Sequence, residues 1–176
     1  MNSPAEVQVR RMSAADLERV LEIAEGLPEA PQWPASAYVA AMDAELRPRR
    51  IALVAEYASE SPRTLEREPL SVPAPHQDRS QVIGFLMANV VPPETELETV
   101  AVAEEAQRHG IGGLLLGALI QILRMDPVDT LVLEVRASNR KALNFYQENG
   151  LREIGRRPRY YADPEEDAIL MRLNLA

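Results

Sequence analysis

The stretch from Leu131 to Leu151, LVLEVRASNRKALNFYQENGL, places a carboxylate at Glu134, an amide at Asn139 and a phenol at Tyr146. A carboxylate inside a leucine and β-branched run needs either a partner, such as an ion pair with a nearby arginine, or a chemical role as a general base. Tyr146 reads as a core aromatic whose hydroxyl needs one hydrogen bond, and also as a proton donor with a pKa near 10. Asn139, next to Ser138 and ahead of an apolar helix, reads as a helix N-cap. A second stretch, Gln107-Arg108-His109-Gly110-Ile111-Gly112-Gly113, follows an apolar strand and opens an apolar helix. Unpaired N–H groups and the positive end of the helix dipole favour a phosphate-bearing ligand there, and glycines let the backbone approach it. The plainer reading is a glycine-rich helix start that packs closely on a sheet.

The elements that must position these groups follow from hydrophobic period. Glu6–Arg11 alternates as a strand. Ser13 with Asp16 starts a helix whose stripe is Leu17, Val20, Leu21, Ile23 and Ala24, stopped by Gly26 and Pro28. Residues Ala35–Leu46 read as a second helix, and Ile51–Tyr57 as a strand. The segment Ser59–Ser80, with Pro62, Pro69, Pro73 and Pro75, reads as a long mobile loop inserted in one domain that covers residues 1–176. Gln81–Val91 and Thr95–Val102 read as strands about the turn Pro92-Pro93. Ile111–Met125 then reads as a helix, Thr130–Arg136 as a buried strand, and Asn139–Asn149 as a helix closed by Gly150. Two further strands lie around Leu151–Gly155 and Asp167–Leu175. The fold class is α/β, with a mixed, mostly antiparallel sheet and about four helices.

A chain of 176 residues with 46% hydrophobic content is large enough for its own core. Its apolar runs are too short to cross a bilayer, and the opening MNSPAEVQVR lacks the apolar stretch of a signal peptide, so the cytoplasm is the expected location. With no cysteine and two histidines, His76 and His109, thiolate chemistry is excluded and a metal site is not expected. The net charge of −8 disfavours direct nucleic-acid binding and favours basic partners. Positive charge nevertheless gathers at Arg136, Arg140, Lys141, Arg152, Arg156, Arg157 and Arg159, read as a solvated helix face and a charged turn, with one or two of them free to meet phosphates.

The element order, with Gln107-x-x-Gly110-x-Gly112 one helix before LEVRASN, resembles the GNAT acetyltransferase superfamily over nearly the whole chain. LEVRASN, the Tyr of NFYQENG and the ending RRPRYYADPEEDAILMRL are similar to the RimI-type ribosomal-protein-alanine N-acetyltransferases. The resemblance implies acetyl-CoA as cosubstrate, held by the backbone of Val100, Ala101 and Val102, by the loop from Arg108 and His109 through Gly110, Ile111, Gly112 and Gly113, and by Asn139. It implies Glu134 as general base and Tyr146 as the acid that protonates the leaving thiolate. Trp33, in the turn Pro31–Pro34, and the pair Tyr160-Tyr161 are the implied walls of an acceptor groove. The implied partner is the N-terminal segment of an acceptor protein, a ribosomal one, with no metal, membrane or nucleic acid involved. An α-amine of pKa near 8 is roughly one-tenth neutral at pH 7, against about one in 2,500 for a lysine amine, so a modest base suits an N-terminus better. The chain departs from the family in its long loop 59–80 and in Gly150-Leu151 where Gly-Phe is usual. A GNAT enzyme for small amines, lysines or aminoacyl groups, a non-catalytic CoA-binding module, and a nucleotide-binding α/β domain using Asp129 are the other readings. A bulky valine at Gly112 is expected to abolish cofactor binding and leave the fold intact.

Overall fold

The computed structural model describes residues 7–27, 33–43, 45–58 and 82–175. The loop 59–80 with its His76, the start of the first strand at Glu6, Pro28, and the residues Pro31 and Gln32 ahead of Trp33 lie outside these. In chain order the elements are β1 (Val7–Arg11), a short 3₁₀ turn (Ala14–Asp16), α1 (Leu17–Glu25), α2 (Ala35–Met42), β2 (Arg49–Tyr57), β3 (Val82–Val91) and β4 (Glu94–Val102). A second 3₁₀ turn (Glu104–Ala106) leads to α3 (Ile111–Leu123), β5 (Thr130–Arg136), α4 (Arg140–Glu148), β6 (Arg152–Ala162) and β7 (Glu165–Asn174). Among the described residues the strands form one seven-stranded sheet in the order β1-β2-β3-β4-β5-β7-β6. Every neighbouring pair is antiparallel except β4–β5. The α/β, mixed and mostly antiparallel architecture expected from the sequence is the one observed.

Alternation along β3 fixes which helices lie on which face. Phe85 meets Tyr38 of α2 edge to face at 5.9 Å, whereas a Cβ on Gly84 would meet Ile111 and Leu115 of α3 at 3.3 and 3.4 Å. The sheet is therefore covered by α2 on one face and by α3 on the other. The core between them holds Ile51, Leu86, Met87, Leu115, Leu119, Leu131 and Ile169, all essentially inaccessible. No helix among the described residues is long and apolar enough to cross a membrane.

Several element ends differ from the sequence reading by a residue or two, and three differences concern α2, α3 and β6. Helix α2 ends at Met42 rather than Leu46, because Asp43 turns to an extended conformation and its side chain accepts the Glu45 N–H at 2.8 Å, a local alternative to helix hydrogen bonding. Helix α3 stops at Leu123, two residues short of Met125. Strand β6 runs on to Ala162 instead of ending at Gly155, so Arg156, Arg157 and Arg159 belong to a strand and not to a charged turn. It escapes recognition because it is the exposed edge of the sheet, where Pro158 is tolerated and no apolar alternation is required, and because its pairing with β7 is irregular between Arg157 and Tyr161.

One polar knot ties β1, β2 and the start of α1. Arg10 pairs with Asp16 through both guanidinium arms, at 2.7 and 2.8 Å, and with Glu56 at 2.6 Å, while the Ser13 N–H and hydroxyl donate to Asp16. Burial alone would raise the Asp16 carboxyl, but the hydrogen bonds from Arg10 and Ser13 outweigh it and hold the group well below the usual carboxylate range. Its contribution to stability is therefore complete at neutral pH and is lost as pH falls below about 4. Asp16→Ala should cost about 2–3 kcal/mol at pH 7, less than a fully buried pair because Arg10 keeps a third of its surface. Denaturant melts of both proteins should show that gap closing from pH 4 downward.

Candidate active site

The site begins with a defect in the sheet. Strands β4 and β5 are in register only over Glu94–Glu96 with Thr130–Val132. Beyond Glu96 the two strands part, and β4 continues to Val102 paired with β3 alone. The register between β3 and β4 slips from Met87–Thr99 to Ala88–Leu97, which makes Glu98 an extra residue, a β-bulge. The bulge changes the parity of β4. Plain alternation would put Val100 on the face of Glu96, but Val100 pairs with Leu86 and lies 3.9 Å from where a Gly112 Cβ would sit, on the α3 face. Val100, Ala101 and Val102 thus line the parting with backbone groups that β5 does not engage.

On the α3 face the glycine motif is built for an unsubstituted backbone. Arg108 and Gly110 both have positive φ, 63° and 79°, and the first turn of α3 has no side-chain cap. The Gln107 amide donates to the Val102 carbonyl at 3.1 Å, tying this loop to the end of β4. Arg108, His109 and Gly110 are exposed, Ile111 is buried, and Gly112 and Gly113 are half-buried. Such an open, N–H-rich turn at a 13-residue helix suits a pyrophosphate. Gly112 has a second role that the sequence did not disclose: its Cβ would lie 3.2 Å from the Phe145 ring of α4. The expectation that a valine there leaves the fold intact is thereby corrected, since the ring would have to move. Asn139 does cap α4, its Oδ1 accepting the Ala142 N–H at 3.0 Å.

On the opposite face stands Glu134, which shares its side of β5 with Val132 and Arg136 as alternation demands. Glu134 is mostly buried and its Oε1 is 2.6 Å from the Arg157 guanidinium of β6. The Glu134 carboxylate nearby, with burial, raises the Tyr160 phenol. The ring of Tyr161 meets Tyr160 edge to face at 5.1 Å and carries the Arg136 guanidinium 4.1 Å above it. Arg136 is itself held by the carbonyls of Asp163 and Pro164 and by Glu166, so neither it nor Arg157 is the free phosphate ligand that the sequence left open. Tyr161 lies within electrostatic reach of both Glu134 and Tyr146. Tyr146 is half-buried, and that burial pushes the phenol up to about 12, with a smaller push from Tyr161. Tyr160 and Tyr161 of β6 thus stand near Glu134 of β5, and Tyr161 also lies toward Tyr146 of α4. Trp33 is half-buried, with its ring 5.9 Å from Tyr38 of α2.

The sequence reading passed over a row of carboxylates beside them. Through the register Arg50–Asn89–Glu96–Val132, side chains of four strands share the face of Glu134. Glu98, kept on that face at the bulge, accepts from Arg50 at 3.0 Å, while its Oε2 and the Asn89 Oδ1 are buried with no hydrogen-bond partner in the described residues. Glu96, open to solvent along one side, is pushed above the ordinary carboxylate range by partial burial and by Glu98 and Glu134, with Arg157 opposing. The only trace of this wall in the sequence is the alternation Glu94-x-Glu96-x-Glu98. Asp129, the acid of the nucleotide-binding reading, sits before β5 with its N–H on the Pro93 carbonyl and its own carbonyl on Leu175, a structural tie. Among the described residues no group of three or more His, Asp or Glu side chains is placed to hold a metal ion.

A sheet parted between β4 and β5, with an uncapped glycine turn on one face and an acid–base set on the other, is the framework of an acyl-CoA-dependent transferase. The family model described as the acetyltransferase (GNAT) family matches residues 30–151, and the chain belongs to that family. Within it the chain is similar to the [ribosomal protein bS18]-alanine N-acetyltransferase of Escherichia coli K12, at 41% identity over 98 residues, 54% of this chain and 66% of that protein. It is also similar to the Haemophilus influenzae protein of the same name, at 39% identity over 97 residues, 53% of this chain and 66% of that protein. The matched stretch therefore spans just under two thirds of either relative. The crystal structure of the E. coli ribosomal-protein-S18-alanine N-acetyltransferase superposes with a TM-score of 0.74 at 26% identity, covering 97% of this chain and 95% of that one. Arabidopsis thaliana NAA60 with a bisubstrate analogue shares the fold at a TM-score of 0.78 and 17% identity, covering 96% and 98%.

Two glycine variants should separate backbone strain from packing. Gly110→Ala meets no neighbour but must hold a positive φ, so a loss of about 1–2 kcal/mol is expected. Gly112→Val should lower the melting temperature further, and stabilisation by added acetyl-CoA should fall with it, because displacing Phe145 disturbs the same turn. Thermal melts with and without acetyl-CoA measure both.

Proposed function

We propose that this protein is an acetyl-CoA-dependent N-acetyltransferase that moves the acetyl group directly to the α-amine of an acceptor polypeptide, the N-terminal alanine of a small-subunit ribosomal protein being the expected acceptor. The observation that carries this reading is the gap between β4 and β5, which has the glycine turn at Gly110 on one face and Glu134 on the other. Acetyl-CoA supplies the thioester and its pyrophosphate. Arg108 to Gly113 would cradle the phosphates, Val100 to Val102 the pantetheine arm, and Asn139, beyond capping α4, the cofactor's amides.

In this reading the neutral amine attacks the thioester carbon, the backbone N–H groups of Val100–Val102 steady the oxyanion, and the C–S bond breaks. Glu134 takes the proton lost by the amine, and Tyr146 gives its own to the departing thiolate; both reset through solvent. A phenol raised to about 12 is a weak acid for a thiolate whose ordinary pKa is near 8.5. The partial burial that raises Tyr146 would also raise a thiolate seated beside it, which narrows the mismatch. Specificity for an acceptor with basic residues after its first is supported by Glu94 and Glu96, exposed along one wall.

Acetyl-CoA at one hundred times its dissociation constant should stabilise the protein by about 2.7 kcal/mol. Glu134→Gln and Tyr146→Phe should keep that stabilisation and slow transfer by about 10²–10⁴-fold. Loss of Glu134 should hurt least at high pH, where the amine is already neutral. Because Tyr146 stays protonated far into the alkaline range, kcat should show no loss assignable to it below about pH 10. Mass spectrometry of a peptide panel tests the acceptor: modification of free N-terminal Ala, Ser or Gly followed by basic residues is expected. Modification confined to lysine side chains or small amines would overturn it.

A further inference from the structure

We propose that Arg157 is a displaceable cap on Glu134, a guanidinium that occupies the carboxylate until the acceptor's amino group takes its place. The inference rests on the reading of Glu134 as the base. Three features of the contact support it. First, the two partners are unequally exposed, at 54% for the Arg157 side chain and 17% for Glu134, so the guanidinium stands on the solvent side and covers the carboxylate from the groove. An incoming ammonium or amine must reach that same oxygen.

Second, Arg157 is held lightly compared with its neighbour. Arg136 donates to two carbonyls and a carboxylate and lies 4.1 Å over the Tyr161 ring. Among the described residues, the Arg157 side chain pairs with Glu134 and approaches the Tyr160 ring more loosely, 5.6 Å from its centroid. It also borders the irregular stretch of β6, where pairing with β7 lapses until Tyr161. Third, Glu134 keeps a polar neighbour when the cap leaves, since Tyr160, whose ring Arg157 approaches, stands beside the same carboxylate. The surroundings explain why a cap is needed at all. Glu96 and Glu98 face the same groove, and without a cation Glu134 would complete a set of three clustered carboxylates. Arg157 supplies that cation in the empty enzyme, and the acceptor supplies it in the complex. Arg157 is thus a positioning residue for the base, in competition with substrate.

Steady-state kinetics with an acceptor peptide bearing a free N-terminal alanine, at saturating acetyl-CoA, test this on the wild type, Arg157→Met and Arg157→Lys. Methionine keeps the stem and removes the cation, so the peptide KM should fall about two- to fivefold, the size of an exposed ion pair. That fall should exceed any change in kcat, and the KM for acetyl-CoA should not move. Lysine should restore the wild-type peptide KM. A raised peptide KM in Arg157→Met would make Arg157 a substrate contact, a lowered kcat at constant KM would place it in the chemistry, and no change would leave the pair inert; each overturns the cap. If wild type is stabilised by acetyl-CoA but transfers nothing to peptides, the acceptor assignment fails instead. The same three proteins are then compared on whichever amine the wild type does acetylate.

Discussion

The parallel ladder between β4 and β5 stops after Glu96 and Val132, and the backbone of β4 beyond that point has to find partners outside the sheet. In a continuous sheet those groups would be spent on β5. Here they border an opening that runs between the α2 face and the α3 face, so a ligand seated against the start of α3 can present a reactive end to side chains on the other side. The bulge at Glu98 belongs to the same arrangement. By adding one residue it bends β4 and sends Val100 toward α3 while keeping Glu98 beside Glu96.

Charge is distributed across that opening in a way that the net value of −8 hides. The wall formed by β4 is acidic and the wall formed by β6 is basic, and Glu134 lies between them on β5. An acidic wall alone would crowd Glu134 with neighbouring carboxylates, as the raised Glu96 carboxyl shows. Arginines from β5 and β6 offset this, one fixed over Tyr161 and one resting on Glu134. The two tyrosines keep the arrangement compact, since each ring carries a guanidinium near its face and an aromatic edge at its side.

Glycines near the site serve two different physical needs that look alike in a sequence. Gly110 needs the backbone freedom, because its φ is +79° and a side chain there would meet nothing. Gly112 needs the space, because Phe145 packs against its bare Cα. The motif therefore joins α3 to α4 as well as shaping a turn, which connects the start of α3, the proposed phosphate site, mechanically to the helix that carries Tyr146.

Much of this was legible in the residues themselves. Apolar period marked the strands and helices, Ser13 with Asp16 marked a helix start, Asn139 marked another, and the alternation of LVLEVR put Glu134 on the face with Arg136. These are local properties, set by side-chain spacing along one element. The extent of β6 was not legible, because an edge strand exposed to water carries no apolar pattern to read. The bulge was not legible either, because Glu94-x-Glu96-x-Glu98-x-Val100 looks like unbroken alternation and only pairing with β3 reveals the extra residue. Least legible was the partner of Glu134. A strand pattern says that a carboxylate needs a counter-charge, but seven basic side chains between Arg136 and Arg159 were available in sequence. The antiparallel return of β6 along β7 chose Arg157, since it alone decides which cation stands within 2.6 Å of which oxygen.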